Sequence, residues 1–234
     1  MDVESIKLYH YPASRSSRAK WALHETIGDD FEVEIVSLYD GEQFSPDYLA
    51  KNPHHNVPTL EIILTNGETK TLLESAAIVC FLADAFPEKN LAPVAHQFSQ
   101  ARANYQQMVF FAAVTIDMML WQIRIHEHVL ADCEADERTA TRYRKKFITE
   151  VEPPLISRLK QHSYISGNQF SAADIIMGHC VMWAKMYNLC NEGIFNKYLS
   201  KLSKRPAFLK AYSDAGEFDP IVPKESRIPG IFNG

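Results

Sequence analysis

The first forty residues alternate between two kinds of hydrophobic pattern. Residues 6–11 are β-branched and aromatic, which predicts a strand, and Pro12 ends it. Residues 15–27 then carry apolar side chains every three or four positions, which predicts a helix. Residues 31–38 alternate apolar and acidic positions, which predicts a strand with one face in water. A strand, a helix and a strand in this order predict a βαβ unit with two parallel strands.

The next segment predicts a short helix, a hairpin and a longer helix. The Ser-Pro pair at 45–46 is typical of a helix start, since serine caps the helix and proline suits its first position. Residues 59–64 and 69–72 flank the Asn-Gly pair at 66–67, which predicts an antiparallel hairpin. A helix over 76–85 follows. The order β-α-β-α-β-β-α is typical of the thioredoxin-like fold, and we infer the arrangement of the sheet from that fold type.

Beyond a proline-containing linker at 88–94, every periodic segment has helical spacing. The predicted helices cover residues 98–122, 137–162 (bent near Pro153), 171–186, 193–202 and 206–215. We therefore predict an α/β thioredoxin-like domain over 1–87, an all-α domain over 95–216 and an extended tail over 217–234. The tail assignment depends on three prolines and on the lack of apolar periodicity: Pro220, Pro223 and Pro229.

Composition narrows the class of protein. The net charge of −5 gives no basic excess of the kind that nucleic-acid binding needs, and the basic run at 142–146 lies close to acidic residues. The most apolar stretch, 109–123, is too short to span a bilayer, and no secretory signal is visible at the N-terminus. The four cysteines form no CxxC pair and have no metal-ligand spacing, so we expect no metal site, no disulfide framework and a cytoplasmic location: Cys80, Cys133, Cys180 and Cys190.

Three short motifs each allow a structural and a chemical interpretation. Ser14, at a strand-to-helix junction, is either a helix cap or a hydroxyl that donates to an anion such as a thiolate. Val57-Pro58 is either an ordinary trans bond or a cis bend whose backbone pairs with an extended peptide. Glu74-Ser75 is either a capping pair or a site for an α-amino group and an α-carboxylate. Taken together, the chemical interpretations describe a site for glutathione, a small thiol peptide with a free amine and carboxylate at one end.

The segments that carry these motifs resemble the N-terminal domain of glutathione transferases, most closely the serine-using phi and theta-like classes. They read LYHYPASRSSRAKWALHE, DGEQFSPDYLAKNPHHNVPTLE and LLESAAIVCFLADAFP. The helical part adds SGNQFSAADIIM, which resembles the family's capping-box segment with Ser171 and Asp174 as the box. The chain departs from the family pattern at His55, where glycine is frequent, and at Phe44 and Asn56.

The resemblance implies a role for each site residue. Ser14 activates the glutathione thiol, although Arg15, Ser16 and Ser17 lie close enough in the sequence to face it instead. Pro58 is cis, and Val57 pairs with the cysteinyl backbone of glutathione. Glu74 and Ser75 hold the γ-glutamyl end of glutathione. Gln43 and Asn56 contact its glycyl end. No cysteine lies near position 14, which argues against the classes that use a catalytic cysteine.

The resemblance therefore predicts an enzyme, a homodimeric glutathione transferase with glutathione as co-substrate. The glutathione thiolate would attack a small hydrophobic electrophile, as in detoxification. Peroxide reduction, ether cleavage and isomerisation would use the same thiolate, and the sequence does not choose among these reactions. Five aromatic or apolar residues could line the acceptor site, although their spacing favours a core position: Tyr11, Tyr105, Met108, Phe111 and Trp121. The alternative hypothesis is a non-catalytic scaffold or binding protein that has kept the fold.

Overall fold

The structure is a computed structural model that describes residues 3–95 and 98–217. Contacts within the chain divide it into two compact units. The first contains the described residues up to Leu82 together with those from Ala207 onward, and the second is Ala83–Pro206. All but one residue of the tail predicted over 217–234 lies outside the described residues.

The first unit is built on a four-stranded sheet of spatial order β2-β1-β3-β4. Its strands are β1 (Val3–His10), β2 (Glu32–Ile35), β3 (Thr59–Leu64) and β4 (Thr69–Leu73). β1 pairs with β2 in parallel, and the β1–β3 and β3–β4 pairs are antiparallel. The predicted parallel pair and the predicted hairpin are both confirmed, and Gly67 has a φ of 81°, the left-handed conformation that glycine adopts easily.

Within the described residues up to Ala85, three α-helices belong to this unit. They are α1 (Ser16–Thr26), α2 (Pro46–Leu49) and α3 (Ser75–Ala85). Ser45 caps α2, since its side chain accepts a hydrogen bond from the amide of Tyr48. The sheet and helices enclose a core of fully buried side chains, which includes Leu8, Leu60 and Ile78.

The second unit is helical, as predicted. Its α-helical segments are α4 (Gln100–Phe110), α5 (Asp117–Arg124), α6 (Glu137–Lys146), α7 (Glu152–Gln161), α8 (Ala172–Met186) and α9 (Gly193–Leu202). α4 and α5 belong to one continuous helix, Gln100–Val129, with wider π-helical turns at Phe111–Ile116 and Ile125–Val129. The bend predicted near Pro153 is a π-helical turn over Phe147–Val151, just before the first turn of α7, where proline has no amide hydrogen to donate.

By length and composition alone, Gln100–Val129 could span a bilayer, and it is the only such helix in the described ranges. Core helices of soluble proteins have the same properties, so this is weak evidence for a membrane span. Along its length Ala112, Ile116 and Leu120 are buried in the protein core. Tyr105 and Met108 are buried as well, in agreement with the core position that their spacing favoured.

The capping box predicted at the start of α8 is present and buried. The Asp174 carboxylate accepts hydrogen bonds from the amide of Ser171 at 2.9 Å and from the amide of Ile165 at 2.8 Å. It also accepts from the hydroxyl of Ser171 at 3.0 Å and from that of Tyr198 at 2.8 Å. Burial raises the pKa of Asp174, and these four donors oppose that effect.

The last helix, α10 (Pro206–Ala211), belongs with the first unit. Trp21 of α1 is fully buried, and its ring packs edge-on against Phe208, with ring centroids 5.0 Å apart. Tyr212 contacts the same indole at 6.2 Å. α10 therefore packs with the first unit, although in the sequence it follows the helices of the second.

Candidate functional site

The three predicted motifs lie at one end of the sheet. The strand register places Tyr9 of β1 opposite Thr59 of β3, and Thr59 opposite Leu73 of β4. Residues 10–15 follow Tyr9, residues 56–58 precede Thr59, and residues 74–75 follow Leu73. Because neighbouring strands end at the same edge, segments distant in the sequence come together there.

Ser14 lies just before α1, and its hydroxyl is the centre of several hydrogen bonds. Ser14 Oγ lies 2.7 Å from the carbonyl oxygen of Tyr11 and 2.8 Å from Ser16 Oγ, and it accepts a bond from the Ser16 amide at 3.2 Å. The N-cap of α1 is Arg15, which makes no side-chain capping bond, so the Ser14–Ser16 bond is a local turn contact before the helix and the predicted helix cap at Ser14 is not observed. Ser14 is half-buried, whereas Ser16 and Ser17 are fully buried. Among the serines near the helix start, Ser14 is thus the one whose hydroxyl is accessible to a ligand.

The Val57-Pro58 peptide bond is cis, which confirms the prediction from the family resemblance. Val57 is buried in a cluster with Tyr9 and Tyr48, and Tyr11 packs against that cluster. Within the described residues, the backbone amide and carbonyl of Val57 make no backbone hydrogen bond. An extended peptide could therefore pair with Val57 in the manner of an added strand.

Two of the residues that depart from the family pattern, His55 in the loop before Val57 and Phe44, are in contact. His55 has a φ of 45°, in the left-handed region that favours glycine. The His55 ring packs on the ring of Phe44 with centroids 4.8 Å apart. This contact joins the loop before Val57 to the 3₁₀ turn Glu42–Phe44.

Gln43 and Asn56 differ in accessibility. Asn56 is exposed, and its carbonyl oxygen accepts hydrogen bonds from Tyr48 and Asn52 at 2.6 and 2.8 Å. Gln43 is buried and donates to the carbonyl of Leu38 at 3.0 Å. Its Oε1 atom is buried without a hydrogen-bond partner among the described residues. A ligand that donates a hydrogen bond would satisfy this oxygen.

Glu74 and Ser75 form the start of α3. Glu74 is exposed and has a φ of 69°, an unfavourable backbone conformation for a residue other than glycine, of the kind that clusters at ligand-binding sites. Ser75 is buried, and its hydroxyl accepts a hydrogen bond from Arg18 Nη1 at 3.4 Å. Arg18 is buried too, so a fixed positive charge reinforces the partial positive charge of the helix N-terminus. This end of α3 suits a carboxylate.

Sequence reasoning missed four residues around the site, namely Arg18, His10, Lys20 and Asp214. His10 is fully buried and lies 2.6 Å from Ser16 Oγ through Nδ1 and 3.1 Å from Asp214 Oδ2 through Nε2. Lys20 Nζ lies 2.5 Å from the same Asp214 oxygen. No local pattern marks the histidine, because its acidic partner lies 204 positions away in the sequence.

The described residues contain no cluster of histidine, cysteine and carboxylate side chains that could hold a metal ion. All four cysteines are described, and no disulfide bond joins any of them. The site therefore consists of a hydroxyl at a helix start, a cis-proline loop and a second helix start that favours a carboxylate. On a thioredoxin-like sheet, this is the combination that the resemblance to glutathione transferases predicts.

Comparison with known proteins shows the family to which the chain belongs. The family model for the glutathione S-transferase N-terminal domain matches residues 4–84. Glutathione S-transferase 1 of Dianthus caryophyllus is 30% identical over 181 residues, which are 75% of this chain and 76% of the relative. The chain belongs to the glutathione transferase family.

Solved structures of bacterial family members agree over almost the whole chain. BphK, a bacterial glutathione transferase solved as a ternary complex, is 27% identical with a TM-score of 0.75, and the match covers 90% of this chain and 99% of BphK. A sphingomonad glutathione S-transferase solved with glutathione is 25% identical with a TM-score of 0.71, and the match covers 90% of this chain and 98% of that protein. The predicted fold class, a thioredoxin-like domain followed by helices, is confirmed.

Proposed function

We propose that this enzyme binds glutathione at the edge of its sheet and that Ser14 stabilises the thiolate for attack on a hydrophobic electrophile. The observation that carries the proposal is the position of Ser14: a half-buried hydroxyl at the N-terminus of α1, at the same sheet edge as Val57 and Glu74. The sphingomonad relative was solved with glutathione, which supports the same co-substrate here. The product would be a thioether.

Ser14 would raise the reactivity of glutathione by lowering the pKa of its thiol. A free cysteine thiol has a pKa near 8.5, and only its thiolate is a strong nucleophile. One charge-assisted hydrogen bond is worth about 1.5–3 kcal/mol, which lowers that pKa by about one to two units. The N-terminus of α1 adds a favourable field for the same anion. At neutral pH a large share of the bound thiol would then be ionised.

The other predicted contacts fix the peptide around its sulfur. Val57 pairs with the cysteinyl backbone, because its amide and carbonyl make no backbone bond within the described residues. Ser75 and the α3 N-terminus hold the γ-glutamyl carboxylate, with Arg18 behind them, and Glu74 pairs with the amino group. Gln43 Oε1 accepts an N–H from the glycyl end, which Asn56 also contacts. Proximity then adds to thiol activation.

A homodimer and a detoxifying role in the cytoplasm complete the proposal. Four large apolar residues are exposed at helical spacing along Gln100–Val129, and a second copy of the chain could cover them: Phe110, Val114, Met118 and Trp121. Gel filtration at twice the mass of one chain would support the dimer. Elution at the mass of a single chain would contradict it.

The enzymatic proposal is tested by retention and turnover together. The wild-type protein should bind to immobilised glutathione and conjugate at least one of several hydrophobic electrophiles, with product measured as thioether. Ser14→Ala should still be retained on glutathione but should lose conjugation, because the peptide contacts remain and the thiolate donor is gone. Retention and turnover both absent in the wild type would favour a binding protein that has only kept the fold.

A further inference from the structure

A chain of hydrogen bonds leads from the Ser14 hydroxyl into the protein interior. Ser14 Oγ lies 2.8 Å from Ser16 Oγ, and Ser16 Oγ lies 2.6 Å from Nδ1 of His10. Nε2 of the same ring lies 3.1 Å from Oδ2 of Asp214. Ser16 and His10 are fully buried. An unbroken path of titratable and hydroxyl groups therefore connects the proposed thiolate donor to a carboxylate.

The ionisation states fix the direction of the two bonds that the His10 ring makes. Although burial opposes its ionisation, hydrogen bonds from His10 and Lys20 lower the pKa of Asp214 to about 2, so the carboxylate can only accept. The His10 ring must then donate through Nε2. Burial lowers the pKa of His10, so the ring is neutral at pH 7 and its Nδ1 is an acceptor. The Ser16 hydroxyl donates to that nitrogen.

The Ser16 oxygen is then left with two acceptor positions. One receives the amide hydrogen of Tyr11 at 3.1 Å, and the other is within 2.8 Å of the Ser14 hydroxyl. Ser14 can therefore donate to Ser16, and Ser16 donates to His10. The carbonyl oxygen of Tyr11 is a second acceptor for both hydroxyls, 2.7 Å from Ser14 Oγ and 3.0 Å from Ser16 Oγ. With Ser14 and Ser16 donating along the chain instead, the mobile protons point toward the ring nitrogen, which is the arrangement that a proton needs to leave the site.

We propose that His10 receives the proton that the glutathione thiol loses, passed through the hydroxyls of Ser14 and Ser16, with Asp214 stabilising the charged ring. The inference rests on the proposed role of Ser14. The S–H bond breaks and its proton moves to the Ser14 oxygen, the Ser14 proton moves to Ser16, and the Ser16 proton moves to Nδ1. The result is a thiolate that accepts a hydrogen bond from Ser14 and an imidazolium that donates to both Ser16 and Asp214. Atoms and charge balance without any further reactant.

The charges around His10 make it a transient carrier of the proton. The carboxylates of Asp214 and Glu217 favour the imidazolium, whereas burial and the Lys20 ammonium oppose it. The balance lowers the pKa of the ring, so it gives the proton up again at neutral pH.

The test follows the rate at which the thiolate forms. Stopped-flow mixing of enzyme with glutathione, read by thiolate absorbance in the ultraviolet, is compared for wild type, His10→Asn and Ser16→Ala. The asparagine side chain can accept a hydrogen bond from Ser16 but cannot take up its proton, and alanine at position 16 breaks the chain one step earlier. Ser17→Ala is the control, because Ser17 Oγ is buried next to the chain without a hydrogen-bond partner in the described structure.

We expect both variants to form the thiolate roughly a hundredfold more slowly at low buffer concentration, the usual scale of a lost proton acceptor. Their rates should rise as a small buffer base is added, since that base now collects the proton. Wild type and Ser17→Ala should not depend on buffer concentration. The fraction of thiol ionised at equilibrium should stay near the wild-type value, which a general disturbance of the site would not preserve.

Two outcomes separate this inference from the proposed function. Suppose that the wild type ionises the bound thiol and that Ser16→Ala forms the thiolate as fast as the wild type at every buffer concentration. The proposed proton relay is then wrong, while the role of Ser14 stands. That result decides the matter even where His10→Asn fails to fold. If the wild-type protein shows no thiolate at all near neutral pH, the proposed function itself is wrong.

Discussion

The hydrogen bonds that the Asp214 carboxylate accepts from His10 and Lys20 should make a measurable share of the protein's stability depend on pH. The pKa of this carboxyl is about 2 in the folded protein against an ordinary value of 3.8. A difference of this size corresponds to about 2 kcal/mol of folding free energy. Because the folded pKa is the lower one, the stabilisation is complete above about pH 5 and is lost as the pH falls toward 2.

The perturbation that isolates this share is Asp214→Asn, which keeps the shape and an acceptor oxygen but removes the charge. We expect it to lower the free energy of unfolding by about 2 kcal/mol at pH 7. The cost arises because Lys20, whose side chain is 9% exposed, loses the carboxylate that balances its charge. Urea denaturation followed by circular dichroism measures the difference, at one protein concentration because a dimer's stability depends on it.

The pH series provides the stricter test. The difference between wild type and Asp214→Asn should be constant from pH 7 to about pH 5 and should shrink toward zero near pH 2. Asp29→Asn is the matched control, since Asp29 pairs with Lys210 of α10 but is 66% exposed, where ion pairs contribute little. A difference at pH 7 no larger than that of the control, or one that does not change between pH 5 and 2, would refute the reasoning.

Two further predictions concern the second unit and the peptide site. Asp174→Ala should lower the free energy of unfolding by about 3 kcal/mol in urea titrations, because four buried donors lose their acceptor. An unchanged urea midpoint would show that the capping box is dispensable. Glu74→Gln should weaken glutathione binding about tenfold by calorimetry, the scale of one charge-assisted bond, while a glutathione analogue without the γ-glutamyl amine should bind both proteins equally. Equal loss for both ligands would place Glu74 away from the amine.

The parts of the fold that local sequence determines were predictable. The Asn-Gly pair at 66–67 fixes a hairpin, and Ser45 and Ser171 cap helices, because turns and caps depend on residues only a few positions apart. The βαβ order followed from a change of hydrophobic period. The sheet order required the fold type, since β3 lies beside β1 and not beside β2.

The parts that depend on tertiary contacts were not predictable from local pattern. α10 packs with Trp21 of α1, a contact between opposite ends of the sequence. The bond between His10 and Asp214 has the same origin. Gln43 was expected to contact a ligand, and its burial depends on a loop whose path has no sequence signature. Glu74 has a positive φ without the glycine that would have indicated it.

The central claim is that the Ser14 hydroxyl stabilises the thiolate of bound glutathione, and one titration tests it directly. Ultraviolet absorbance of the thiolate is followed against pH for glutathione in buffer, bound to wild type and bound to Ser14→Ala. The wild-type complex should reach half-ionisation about one to two pH units below free glutathione, and Ser14→Ala should return most of the way to the free value. Identical midpoints for free glutathione and for the wild-type complex would contradict the claim.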